Sequence, residues 1–119
     1  MRFLLVIGMS AMFVAGYGQT TSWRGTSSSV WATASNWTNG VPTATIDAIL
    51  GDANFTGTFQ PSVTATSNCR TLTVGGSRAT NLTVSAALTV ASDVTITTLG
   101  TVTHTANTIT VRGNWSLTG

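Results

Sequence analysis

The chain has 119 residues, of which only 7% are charged, with a formal net charge of +2. Lysine and glutamate are both absent, so the pI of 9.5 reflects scarcity of charge and not a basic surface, and the electrostatic footprint of a nucleic-acid binder is missing. A single cysteine excludes an internal disulfide framework, and 42% hydrophobic residues with threonine as polar filler lie outside the low-hydrophobicity, high-charge regime of disordered chains.

The N-terminus carries one positive charge at Arg2, an apolar run from Phe3 to Ala15, and small residues at Gly16 and Gly18. This is the layout of a secretory signal peptide over residues 1–18, with cleavage expected between Gly18 and Gln19. The run is shorter than the roughly twenty residues that cross a bilayer, and no later stretch is longer. The mature chain is therefore expected to lack a transmembrane helix and to be secreted or held at the cell surface.

Residues 19–62 read as an irregular, β-rich, tryptophan-rich N-terminal cap. They hold Trp23, Trp31 and Trp37, the turn signals Asn39-Gly40 and Val41-Pro42, an expected strand from Ala44 to Leu50 and a second around Phe55 to Phe59. Threonine at this density opposes helix, and helical periodicity is hard to find after the signal peptide.

Residues 63–119 repeat one short phrase, apolar-Thr-apolar, as Leu72-Thr73-Val74, Leu82-Thr83-Val84, Leu88-Thr89-Val90, Val94-Thr95-Ile96 and Ile109-Thr110-Val111. Side chains alternate across a strand, so each phrase buries two aliphatic residues and turns its threonine outward. First inward residues are spaced ten, six, six, eight and seven apart, from Leu72 through Leu82, Leu88, Val94 and Val102 to Ile109. Such short, variable steps suit the sides and corners of a parallel β-helix, a β-solenoid with coils of roughly twenty residues or more. The alternative is an antiparallel β-sandwich, whose strands are usually longer than three or four residues. The pattern is still running at Gly119, which predicts an N-terminal piece of a longer protein that continues into further solenoid repeats.

Catalytic and metal-binding chemistry is sparse, and no cofactor is indicated. His104 is the sole histidine, expected inward or at a corner, with no partner in sequence to make it a base. The Cys/His clusters of zinc sites do not occur; Asp47, Asp52 and Asn54 are the only grouping that resembles a set of calcium oxygens. Cys69 reads as a small residue packed at the edge of the first rung, or else as a free thiol that pairs with another chain. Trp23, Trp31 and Trp37 admit two roles, a packed cluster that caps the first rung or an exposed row that stacks on sugar rings. Outward threonine pairs such as Thr101/Thr103 resemble ice-binding arrays, which need a constant coil length that the uneven spacing opposes. Asn36, Asn54, Asn81 and Asn114 begin N-x-S/T sequons at about the frequency chance gives in so Ser- and Thr-rich a chain.

The stretch Trp23-Arg24-Gly25, Trp31, Ser35-Asn36-Trp37-Thr38-Asn39-Gly40-Val41-Pro42 and Asp47, followed by Cys69-Arg70-Thr71-Leu72-Thr73-Val74, resembles the start of large bacterial β-helical surface proteins. These are autotransporter passengers with β-strand repeats and exported repeat proteins of the type IX secretion kind, and Gly113-Asn114-Trp115 is similar to their rung ending. The resemblance implies a non-catalytic structural or adhesion protein of the cell outer membrane or exterior, a β-helical stem with no catalytic residues to carry over. Its partners would be surface glycans or other cell-surface proteins. The alternative is a carbohydrate-binding or polysaccharide-processing β-helix.

Overall fold

The computed structural model describes residues 19–118, so the expected signal peptide lies outside the described residues. Within them the chain forms short strands: β1 (Thr20–Ser22), β2 (Asp47–Leu50), β3 (Ser62–Val63), β4 (Ser67–Cys69), β5 (Leu72–Val74), β6 (Thr80–Val84), β7 (Leu88–Val90), β8 (Val94–Ile96), β9 (Gly100–His104), β10 (Ile109–Val111) and β11 (Trp115–Leu117). A single 3-10 turn at Ala34–Asn36 is the one helical element among the described residues.

Every pairing between these strands is parallel. They form three sides, ordered β9-β6-β3, β10-β7-β4 and β11-β8-β5-β2-β1. The chain visits the sides in rotation, so β3-β4-β5, β6-β7-β8 and β9-β10-β11 are three successive coils of a β-solenoid, stacked about 4.8 Å apart. The antiparallel sandwich is set aside, because its strands would reverse direction between neighbours.

The register exposes a regularity that the strand-to-strand spacing conceals. Leu72 stands beside Val94 and Val94 beside Trp115, steps of 22 and 21 residues. Ser67, Leu88 and Ile109 follow at 21 and 21, and Val63, Val84 and His104 at 21 and 20. Sides of unequal length thus add to a nearly constant coil. The expectation that uneven spacing prevents alignment is corrected here, since what must stay constant is the whole coil and not each side.

Alternation then builds continuous interior columns. Ala48, Leu72 and Val94 form one, Leu50, Val74 and Ile96 a second, and Cys69 with Val90 a third; all are buried. The threonine between each aliphatic pair is half-buried on the outer face in β5 to β8. At the corner after β5 the coils approach so closely that a Cβ on Gly100 would overlap the Val74 carbonyl, and Gly75 takes φ +97, open to glycine at little cost.

Two expected features of the N-terminal part differ. The parallel stack reaches back past residue 63, since β2 pairs with β5 and β1 with β2, and the expected division at 62/63 passes through β3 itself. No strand forms over Phe55–Phe59, although the Gly57 and Phe59 amides donate to the Arg24 and Gly25 carbonyls. That approach needs Gly57, because a Cβ there would run into the Gly25 carbonyl. The first strand expected over Ala44–Leu50 is present in shorter form, as β2.

Candidate functional site

The two ends of the stack are chemically different, and the N-terminal end is closed by residues 23–42. A bare edge strand would present unpaired N–H and C=O groups. Here the Asn39-Gly40 turn, with Gly40 at φ +84, lays residues 38–40 along the free edge of β1. The Thr38 amide donates to the Ser22 carbonyl at 3.0 Å, and the Ser22 amide donates to the Thr38 hydroxyl at 2.9 Å. Asn39 donates from its side chain to the Thr20 carbonyl and from its backbone to the Thr21 hydroxyl, which in turn donates to the Gly40 carbonyl at 2.7 Å. The Ser22 amide, the Ser22 carbonyl and the Thr20 carbonyl on that edge are thus all paired.

Above the side that starts with β3, Val30 makes a parallel bridge to Ser62, and the Trp31 amide donates to the Ser62 carbonyl at 3.0 Å. This loop is pinned from within by Asn36, which is wholly buried. Its Oδ1 accepts from the Ser27 and Ser28 amides at 2.9 and 3.0 Å, while its Nδ2 donates to the Ser28 hydroxyl and the Val30 carbonyl. A buried amide with both its ends bonded costs little to desolvate and fixes one loop conformation. Asn36, Thr38 and Asn39 hold the cap in place, a role that the sequence reading assigned to none of them individually.

Trp23, Trp31 and Trp37 are 0%, 1% and 2% exposed. Trp37 meets the other two edge-on, with ring centroids 5.2 Å from Trp23 and 4.8 Å from Trp31. Such T-shaped pairs are favourable beyond the area they bury. The Trp23 indole donates to the Phe59 carbonyl at 2.8 Å and the Trp37 indole to the Trp31 carbonyl at 2.7 Å. The rings therefore face each other and the first coil, and none presents an open face on which a sugar ring would stack. The Trp31 indole nitrogen is buried without a hydrogen-bond partner beside a groove of about 310 Å³ that also touches Pro42 and Ser67.

The remaining candidates are dispersed. Asp47, at the start of β2, is paired at 2.7 Å with Arg70, which lies in the corner between β4 and β5, and Asp52 accepts from the Ser22 hydroxyl and the Asn54 amide. Among the described residues no three His, Cys, Asp or Glu side chains converge on a possible metal position. His104 occupies the inward column above Val63 and Val84, but in the last coil, where it is exposed and bonded to the Asn107 carbonyl. Outward hydroxyls do align, as Thr73-Thr95-Ser116 and Thr83-Thr103, but three-residue strands carry only one such file. Where β6 and β9 carry two, Asn81 stands in the second file and accepts from the Thr103 hydroxyl.

Cys69 lies wholly inside its column, and burial, with a smaller contribution from the Asp47 charge, raises its thiol to about 12. The thiolate is the reactive form, so the native chain is expected to resist a thiol reagent at pH 8 and to react once unfolded. The linkage sign follows from a raised pKa: in the unfolded chain the thiol ionises near 9, in the folded chain near 12. Stability contributed below pH 9 is thus lost as pH rises toward 12, and denaturation midpoints should fall over that window in wild type but less in Cys69→Ala.

At the C-terminal end the same columns lie open. Val102, Ile109 and Val111 are half-buried, Trp115 is 50% exposed and Leu117 74%. With Ile96, Gly100 and His104 most of them line a concavity of about 480 Å³. These features define a β-solenoid with one sealed and one open end. The chain matches no protein-family model, no curated protein and no solved structure.

Proposed function

We propose that the chain is a non-catalytic structural element of the cell exterior, the capped N-terminal section of a β-helical stem like those of autotransporter passengers and type IX-secreted repeat proteins. The observation that carries this reading is the combination of a sealed first coil with aliphatic columns held in a nearly constant 20–22-residue register. A stack of this kind gains about 4.8 Å per coil, and each coil contacts only its neighbours, so length is added without redesign of the core. Inter-coil hydrogen bonds along the axis on all three sides give stiffness. Outward Thr, Ser and Asn keep the rod wetted with few charges and offer polar contacts to surface glycans or neighbouring proteins.

The test places an epitope tag after Gly119 and adds protease to intact cells of the source organism. The stem reading expects the tag to be removed by protease without cell lysis, and export to fail when the apolar run Phe3–Ala15 is interrupted by charge. Purified chain should not cleave polysaccharides. Retention of the tag inside intact cells, or turnover of a polysaccharide, would contradict it.

A further inference from the structure

The cap buries the interior of the first coil, yet it pairs with the backbone edge on only two of the three sides. On the side of β3, the Ser62 amide donates to the Ser29 carbonyl at 2.8 Å and the Ser62 carbonyl accepts from Trp31, so residues 29–31 act as an added strand. On the side of β1, residues 38–40 do the same. On the third side β4 is the last strand of its sheet, with β7 as its one neighbour.

The ladder fixes where the free groups point. In a parallel pair, alternate residues turn both backbone groups toward the neighbour, and the residues between them turn both away. Ser67 donates to the Ala87 carbonyl and Cys69 accepts from the Ala91 amide, so the N–H and C=O of Asn68 face away from β7. Among the described residues neither group has a partner. The open stretch is short, because beyond it the Arg70 amide donates to the Ile46 carbonyl at 2.8 Å.

Residues 66–68 on this edge line the groove of about 310 Å³ together with Trp31, Ala32 and residues 41–44. None of the lining residues is charged, and Ala32, Val41, Pro42 and Ala44 bring apolar surface to it. Trp31 carries a further unpaired donor, its buried indole nitrogen.

We propose that this groove is a peptide-docking site, in which an extended segment of a partner protein adds a strand to the free edge of β4. The partner's backbone donates to the Asn68 carbonyl and accepts from the Asn68 amide, and another of its carbonyls meets the Trp31 indole. Small uncharged side chains fit the rest of the groove. Strand addition takes its affinity from main-chain hydrogen bonds and its selectivity from pockets for alternate side chains, which is the combination that Asn68 and the apolar lining offer. A site of this kind adds a binding role to the stem and holds whether or not the stem reading does.

The test pans a phage-displayed library of random short peptides on the folded chain and synthesises the enriched sequence. The enriched peptides should be uncharged and rich in small and β-branched residues. By NMR, the Asn68 amide should exchange with solvent faster than the Ser67 amide in the free chain, and saturating peptide should slow it at least about tenfold. Asn68→Pro removes the edge-facing N–H without removing a bond to β7, as proline on an edge strand can. It should weaken peptide binding at least about tenfold, whereas Asn68→Ala, which keeps the backbone groups, should change it by under about twofold.

Failure to enrich any peptide, equal binding by wild type and a folded Asn68→Pro chain, or an Asn68 amide already protected in the free chain would overturn the proposal. So would protection that grows with protein concentration alone, since a second copy would then be the occupant, or protection by chito-oligosaccharides and not by peptide. Should Asn68→Pro lose its circular dichroism, exchange at Asn68 in the wild-type chain decides the matter. None of these readouts depends on where the protein resides, so failure here is distinguishable from failure of the surface role.

Discussion

Replacing Trp37 by alanine should cost about 3–5 kcal/mol of folding stability, the range found when a buried large aromatic is truncated. Trp37 is the centre of the cap: its ring touches both other cap tryptophans, and its indole satisfies the Trp31 carbonyl. Alanine would leave a cavity and an unbonded carbonyl together. Because domains are stable by only about 5–15 kcal/mol, the loss is a large part of the total. Trp115→Ala is the matched control, since that side chain is already half-exposed, and it should change stability by under about 1 kcal/mol. Urea denaturation of the two variants, followed by far-UV circular dichroism, makes the comparison; similar losses would mean that the cap does not hold the first coil.

The second large effect separates two adjacent residues. Leu82 is wholly buried, while Thr83 faces outward in a rank with Thr103. Leu82→Asn removes aliphatic packing and buries an amide without an arranged partner, for a combined cost of at least about 4 kcal/mol. Thr83→Asn should cost under about 1 kcal/mol, because asparagine already stands outward at Asn68, in register with Thr89. Denaturant midpoints of the two variants, with unchanged slopes, would measure the contrast. Equal costs would mean that the inward and outward assignments fail.

Much of the fold was legible because the repeated phrase encodes facing directly. In Leu72-Thr73-Val74 and its relatives a two-residue period with aliphatic ends leaves little freedom over which side chain turns inward. The constancy of the coil was harder to read, since it appears only between every third strand, as in Leu72 to Val94 to Trp115. The expected strand at Phe55–Phe59 failed for a tertiary reason. Aromatic and threonine residues there suit a strand, but Gly57 packs against the Gly25 backbone and Phe55 is drawn into the core.

The cap was legible in composition and illegible in geometry. Three tryptophans in a turn-rich segment are compatible with a buried cluster or an exposed row, and the choice depends on what lies beneath them. Asn36, Thr38 and Asn39 act through the edge of β1 and the loop at Ser27–Val30, partners that sequence distance does not reveal. Of the two places expected for His104, inward or at a corner, it takes the inward column, and its exposure follows from its place in the last coil and not from its local sequence.

The central claim, that successive coils run parallel with Thr73 directly beside Thr95, is tested most directly by a disulfide trap in the folded chain. Thr73→Cys with Thr95→Cys places two outward thiols on adjacent strands, within the Cα separation that a disulfide spans, while Cys69 stays buried. Mild oxidation should close this bond within one chain and leave the circular dichroism unchanged, and Thr73→Cys with Thr89→Cys, on different sides of the coil, should not close. Crosslinking of the second pair in preference to the first, or closure of the first only after unfolding, would contradict the stacked parallel architecture.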